Sequence, residues 1–573
     1  MEAALLAALD LATLEQYRLE AVQALHALRT GKRTIQIGHQ GQSRTYSPSE
    51  ADALERYIGA LQSAIDARTL GDASRIDADL AIIGAGPAGI TMARAFAGSS
   101  TPVCVVESGG LEPEAEIQAL YQGENNGIQY PLAATRLRQF GGSSGHWGGF
   151  CRPFDPIDFE TREWVPHSGW PFGREVLDPY WEAASAAVEN APARYEDGAY
   201  WVEKTGESLV DWRAGCYQTR FFQFSPPTRF GTRYREELAE APNIRVLLHA
   251  NVTNIAAVPS AVAVNHLQVR TLTGLRHRVQ ARRYVLACGS IENARLLLLS
   301  NDVMPDGLGN QNGWVGRCFM DHPHLHSFAD IVIADLGRLP PIYRGRILVD
   351  GRSAQVAYVP NPDYLRREKR LNISYTMAPA GELRSDQTQK DAVTAGQRDM
   401  LLAARPFLTD GGKSPQAEDP AYCGVRMGIG CACEQSPNPD SRVLLGEETD
   451  ALGQRRTLLD WRLTEQDRRS LVANIRALGR DFAASGIGRL RPHLANDGLW
   501  EKVVAGGSHH MGTTRISEDP KRGVVDPNCR VHGIENLYVA GSSVFVTSGS
   551  ANPTLNILAL AYRLVDHLKG LPS

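Results

Sequence analysis

Residues 77–98, DADLAIIGAGPAGITMARAFAG, narrow the fold more than any other stretch of the chain. An apolar strand runs into Gly84-Ala85-Gly86-Pro87-Ala88-Gly89 and straight on into a helix, and the GxGxxG pattern acquires meaning only in that context. Gly84 permits the tight turn, Gly86 lets a pyrophosphate approach the backbone, and Gly89 lets the helix pack closely on the strand. A second strand, VCVV, ends at Glu107, 23 residues after Gly84, where a carboxylate can accept from ribose hydroxyls. Strand, turn, helix, strand and acid together predict a dinucleotide-binding α/β domain.

Two later segments have the same character. RRYVLACGSIENARLLLLS (282–300) reads as strand then helix, and so does NLYVAGSS with NPTLNILALAYRLVDHLKG (536–570). Their wide spacing predicts one discontinuous nucleotide domain with insertions. Residues 380–420, rich in Gly, Asp, Ser and Pro, read as a long irregular loop.

Residues 1–70 close on themselves before the glycine turn. A capping pattern at Thr13 and Gln16 precedes Leu14, Tyr17, Ala21, Leu25 and Leu28 at helical spacing, with Gly31 as a stop. TIQIG and SRTYS flank a hairpin turn, and Ser47-Pro48-Ser49-Glu50 opens a second helix carrying Leu54, Ile58, Leu61 and Ile65. The order resembles the small head-tail joining protein of lambda-like phages, a likeness of fold. An adaptor or homo-oligomerisation module on an enzyme is the preferred reading over a virion role.

The bulk numbers exclude several classes. At 573 residues, 43% hydrophobic and 22% charged, the chain has the composition of an ordinary globular protein. A net charge of −4 gives no basic footprint for nucleic acid or an anionic membrane. No run reaches the roughly 18 uncharged apolar residues of a membrane span. Acids in the first 20 residues do not suit a signal peptide, and nine scattered cysteines suit reduced thiols, so a cytoplasmic location is expected.

Phe140 to Gly149, FGGSSGHWGG, is dense enough in glycine to let backbone run along a flat ring system. Asn552 stands where a helix N-cap belongs and Pro553 at the first helical position, with Gly570 as the stop. The free N–H groups of such a helix start would stabilise negative charge on a reduced ring.

GAGPAG with Glu107, GGSSGHWGG, HHMGTTR and NLYVAGSSVFVTSGSANPTLNILALA resemble the glucose-methanol-choline (GMC) oxidoreductases, over roughly 77–573. The likeness is greatest to the branch of pyranose oxidases and bacterial sugar oxidoreductases. It implies a Rossmann-like FAD domain over 77–170, 241–330 and 501–573, a substrate domain with an antiparallel sheet over 171–240 and 331–500, and oxidation of a hydroxyl on a sugar, glycoside or polyol-like alcohol. Oxygen or another acceptor would then reoxidise the flavin. It makes His509, three positions before Gly512-Thr513, the base, and Asn552 its partner at the substrate oxygen. It also implies cofactor contacts from Gly84, Gly86, Ala88, Gly89, Glu107, Ser144, His146, Trp147, Gly148, Val252, Gly541, Ser542, Asn552, Pro553 and Thr554. His510 is expected to face away as a structural neighbour. For His146 the family offers two readings, a covalent flavin link or a ring-lining side chain, and the second is preferred because Gly145 replaces a Thr.

Two patterns are read as structural. His322, His324 and His326 in DHPHLH fall on one face of a strand, but no acid cluster completes a metal site. Cys431 and Cys433 are too closely spaced for a usual zinc pair. Trp147, Trp164 and Trp170 are candidate pocket walls. Other classes of function remain beside oxidation: a non-redox flavoprotein of the same fold, such as a lyase or decarboxylase, and an assembly protein with a degenerate enzyme domain.

Overall fold

The run Leu80–Ile83 is apolar on both faces because both are covered, as in the centre of a parallel sheet. The computed structural model describes residues 9–61 with short gaps, 74–384 apart from 326–327 and 334–335, 422–492 and 504–572. The strand carrying Leu80 spans Ser74–Ile83 and starts three residues before the expected boundary. It lies between Val103–Val106 and Arg276–Leu286, with Ile244–Leu247 outside the former and Leu537–Val539 beside the end of the latter. All these pairings are parallel. In chain order the five strands run 3-2-1-4-5, an order that opens a crevice at the carboxyl ends of the first and fourth, where the chain reverses direction across the sheet. The helices Pro87–Phe96 and Pro553–Gly570 pack against each other on this sheet. The second buries Leu555, Leu558, Val565 and Leu568 at helical spacing, each contributing about 1.5–3 kcal/mol.

The second layer is an antiparallel sheet in the order Gly488–Pro492, Ala329–Ile333, Tyr422–Cys433, Ile373–Arg384, Arg352–Pro360, Tyr217–Phe224 and Phe150–Cys151. One face packs on the helix Glu465–Ala484 through Leu471, Ile475, Leu478 and Phe482. Cys431 and Cys433 sit in that apolar core with their sulfurs 3.7 Å apart, and the eight described cysteines are all free thiols. The strand Ile373–Arg384 runs into the segment expected to be irregular loop, and 385–421 lies outside the described residues.

Packing redraws two expected boundaries. The helix Trp181–Ala187, expected with the second domain, packs on Pro553–Gly570 and puts Trp181, Ala184 and Ala187 into the core of the parallel sheet. The hairpin of Arg442–Thr449 and Arg455–Trp461 was expected there too, yet it buries Val443, Leu459 and Trp461 in the same core and pairs in parallel with Gly123–Gly127. Segments that cross between layers join whichever apolar surface they meet, and no local pattern records which.

The N-terminal helix Leu11–Arg29 and hairpin Ile35–His39 with Gln42–Tyr46 form a separate cluster with Leu54, Ile58 and Leu61. The helix begins earlier than expected, because Asp10 and not Thr13 is the cap: its Oδ1 accepts from Thr13 N at 2.8 Å. Glu50 Oε2 accepts from Ser47 N at 3.2 Å, as the second capping pattern requires. Gly31 and Ile65 lie outside the described residues. Arg18 ties the module to the body through Asp302.

Candidate active site

A cavity of about 500 Å³ opens at the crevice of the parallel sheet. Gly84, Gly86, Ala88, Glu107, Ser144, His146, Trp147, Gly148, Val252, Gly541, Ser542, Asn552, Pro553, Thr554 and His509 all line it. Gly89 does not. A Cβ there would stand 2.0 Å from Gly84 O, so its work is to seat the helix on the strand, the role expected for the third glycine. Gly84 has φ +102, a conformation open to glycine, and its own Cβ would stand 2.7 Å from Ala287 O. Trp147 lines the cavity while its Nε1 donates to Thr228 O at 2.9 Å. Trp164 and Trp170 are not on the wall: Trp170 is a core residue whose Nε1 donates to Thr547 Oγ1, and Trp164 donates to Arg370 O.

Glu107 is buried, and burial raises its pKa. Its Oε2 accepts from Ala85 N and its Oε1 from Gly109 N, each at 2.8 Å, so the carboxylate is held by the two turns that end the first two strands. Beyond it the wall turns cationic. Glu292 accepts from Arg138 Nη2 at 2.8 Å, Arg136 Nη1 at 3.2 Å and Arg295 Nη1 at 3.4 Å. Burial pushes its carboxyl up, but Arg295, Arg138 and Arg136 outweigh that and hold it down at about 2. The guanidinium groups of Arg136 and Arg138 lie 4.0 and 4.3 Å from the Tyr121 ring centroid. This cluster was missed from sequence; the signal available was the Arg-x-Arg spacing just before the glycine-dense loop.

Two histidines line the same cavity. Met320 and Met511 bridge, and Pro323–Leu325 pairs antiparallel with Val504–Gly506, so the segments 320–325 and 504–511 run side by side. His509 Nε2 lies 3.0 Å from Asn552 Nδ2, and its Nδ1 lies 3.0 Å from Nδ1 of His322. The His324 ring centroid is 5.8 Å from that of His509. Asp321, fully buried, accepts from both backbones, His322 N at 2.6 Å and His509 N at 2.9 Å, and from Tyr130 OH at 2.5 Å. Burial holds its carboxyl at about 6, and those donors keep it from going higher. His322 therefore belongs to the site, contrary to its reading as a structural strand residue, and His326 lies outside the described residues. Among the described residues no group of three or more His, Cys, Asp or Glu is placed to hold a metal ion.

His510 does not turn away from the cavity as expected. It lines the same wall, its ring edge-on to Tyr130, and its Nε2 is buried with no hydrogen-bond partner among the described residues. Asn552 occupies the N-cap position of Pro553–Gly570, but its side chain makes no capping hydrogen bond and is spent on His509. The helix start therefore keeps its N–H groups for whatever fills the cavity.

Residues 437–561 match the family described as GMC oxidoreductase. Over 550 residues the chain is 26% identical to the 6'''-hydroxyparomomycin C oxidase of Streptomyces lividus, covering 85% of this chain and 90% of that one. It is 25% identical over 558 residues to the paromamine 6'-oxidase of Streptomyces fradiae, covering 86% and 91%. Among solved structures, the pyridoxine 4-oxidase from Mesorbium loti superposes with a TM-score of 0.53 at 18% identity, over 87% of this chain and 100% of that one.

Proposed function

We propose that this chain is an FAD-dependent oxidoreductase of the GMC type, which oxidises a hydroxyl group of a sugar, glycoside or polyol-like alcohol with His509 as general base. The observation that carries the reading is His509 Nε2 and Asn552 Nδ2 meeting at 3.0 Å on the wall of the cavity that the glycine turn, Glu107 and two helix starts also line. Relatives named 6'''-hydroxyparomomycin C oxidase and paromamine 6'-oxidase, matched over most of their length, support the substrate class.

The residues present fit FAD. The Rossmann-type turn at Gly84–Gly89 leaves Gly86 with open space at its Cβ position apart from Ala287 O at 4.0 Å, and helix N–H groups stand ready for a pyrophosphate. Glu107 would accept from ribose hydroxyls, and Ser144, His146, Trp147 and Gly148 line the same cavity. Bound there, FAD supplies the two-electron acceptor for the hydrogen that leaves the carbinol carbon.

The chain's own part is positional and protonic. The incoming alcohol would displace Asn552 from His509 Nε2, so that Asn552 Nδ2 donates to the alcohol oxygen and the hydroxyl points at the freed Nε2 lone pair. His509 Nε2 takes the hydroxyl proton, a step worth about 10²–10⁴ in rate for a well-placed base. The uncapped start of Pro553–Gly570 stabilises negative charge that develops beside it. His146 lines the wall, and burial, then Arg229, lowers its pKa; it is read as a ring-lining side chain with no covalent bond. The N-terminal module, alike in outline to the phage joining protein, is read as an adaptor or oligomerisation unit.

Anaerobic mixing with a panel of sugars, glycosides and alcohols should bleach the flavin absorbance for at least one, and His509→Ala should slow that reduction by about 10² or more. Bleaching at the wild-type rate in His509→Ala would sink the proposal. Denaturing precipitation should release the yellow colour into the supernatant; colour retained in the pellet would instead mark a covalent link.

A further inference from the structure

We infer that His322 is a positioning residue that fixes the tautomer of His509, placing the proton on Nδ1 and leaving Nε2 bare toward the substrate. The inference rests on His509 being the base, and it follows from an unbroken series of contacts in which only one end is chemically unambiguous. His322 Nε2 lies 3.0 Å from the backbone carbonyl oxygen of Ser548. A carbonyl only accepts, so Nε2 carries hydrogen. His322 is fully buried, and burial lowers its pKa to about 4, so the ring is neutral and its Nδ1 holds a lone pair. His509 Nδ1, 3.0 Å from that lone pair, must then be the donor. Burial, with His322, His324 and His510 nearby, holds the His509 ring well below the usual histidine range, so it too is neutral and its Nε2 is the acceptor. The partner found there, Asn552 Nδ2 at 3.0 Å, is a donor, as that assignment requires.

The backbone is built to keep the two rings in this relation. Both amides are tied to one oxygen of Asp321, whose other oxygen is occupied by Tyr130 OH. Ser548 lies in the loop that ends at Asn552, so the carbonyl at one end of the series and the amide at the other belong to the same five residues. Gly507 carries no Cβ where one would stand 2.9 Å from His509 Nδ1 and 2.7 Å from His324 Nε2. A histidine without a fixed acceptor at Nδ1 distributes its hydrogen between both nitrogens, and the fraction protonated at Nε2 cannot act as base.

When the substrate O–H bond breaks and the Nε2–H bond forms, His509 becomes an imidazolium. Its Nδ1–H still points at His322 Nδ1, which stabilises the cation. The proton remains on the histidine pair, because Ser548 O cannot take it.

The test uses the full-length holoenzyme as wild type, His322→Phe, His322→Gln and His509→Ala. Histidine ring ¹⁵N spectra, with the His509 signals identified by their loss in His509→Ala, should show wild-type His509 protonated at Nδ1 and bare at Nε2. His322→Gln keeps an acceptor toward His509 and a donor toward Ser548, so it should preserve that pattern; His322→Phe should shift hydrogen to Nε2. In anaerobic flavin reduction by the sugar that best reduces the wild type, His322→Phe should fall about 100-fold with substrate affinity changed less than about threefold, and His322→Gln should recover to within about tenfold. Wild-type His509 protonated at Nε2 overturns the inference, whether or not the variants fold. So does reduction at the wild-type rate in His322→Phe, or an equal loss in Phe and Gln. Failure of the base assignment shows separately, as His509→Ala reducing at the wild-type rate while the wild-type spectrum still reads Nδ1–H.

Discussion

His509 meets Asn552 on one side, His322 on the other, and rests over a glycine. Burial keeps its ring neutral well below the ordinary histidine value of about 6.5. Since a general base acts in its unprotonated form, the depressed pKa extends the active form to lower pH. The anaerobic reduction rate should therefore hold as pH falls to about 6.5 and decline only below it; an acid limb centred above 6.5 would contradict a buried neutral base. Gly507 offers a steric check on the same group. Gly507→Ala places a methyl against His509 and His324, so flavin reduction should slow by at least about tenfold while overpacking costs about 1–3 kcal/mol. Reduction kinetics beside a melting curve separate the two effects, and an unslowed variant would show that the ring has room to move. His509 and Asn552 were legible as a motif; His322 was not, because its importance comes from a neighbour 187 residues away.

Among elements, the strand–turn–helix at the first glycines is the most demanding. A Cβ on Gly89 meets the carbonyl oxygen of Gly84 at 2.0 Å, so any side chain there lifts Pro87–Phe96 away from its strand. Gly89→Ala should lose flavin on gel filtration and melt earlier, whereas Thr464→Ala should cost only about 1 kcal/mol, because it removes one cap from a helix on the other layer. Equal flavin content in Gly89→Ala and the wild type would show that the helix relaxes without cost. This element was readable because its glycines, strand and acid all lie within a short stretch of chain. The arginine cluster on Glu292 was less so, since Arg136, Arg138 and Arg295 become neighbours only when the helix Ser290–Leu299 docks on the sheet.

At the scale of the whole molecule, the N-terminal module has its own apolar cluster and reaches the body through Arg18 and Asp302. A chain beginning at Ser74 should therefore bind FAD and be reduced at the wild-type rate, with any change confined to its assembly size. A matched loss of flavin and activity in that truncation would make the module part of the enzyme and not an appendage. The two larger layers interlock instead: Trp181–Ala187 and the Arg442–Trp461 hairpin leave their expected domain and bury apolar residues in the other. Periodicity, glycine spacing and capping residues act between near neighbours in the chain, so the sequence alone determined the glycine turn, the helix starts and the motif histidine. Which core a crossing segment joins, which face His510 presents, and which side chain holds the proton of His509 were decided by the tertiary structure. Each depends on contacts among residues far apart in sequence, where packing and the direction of a single carbonyl outweigh any local preference.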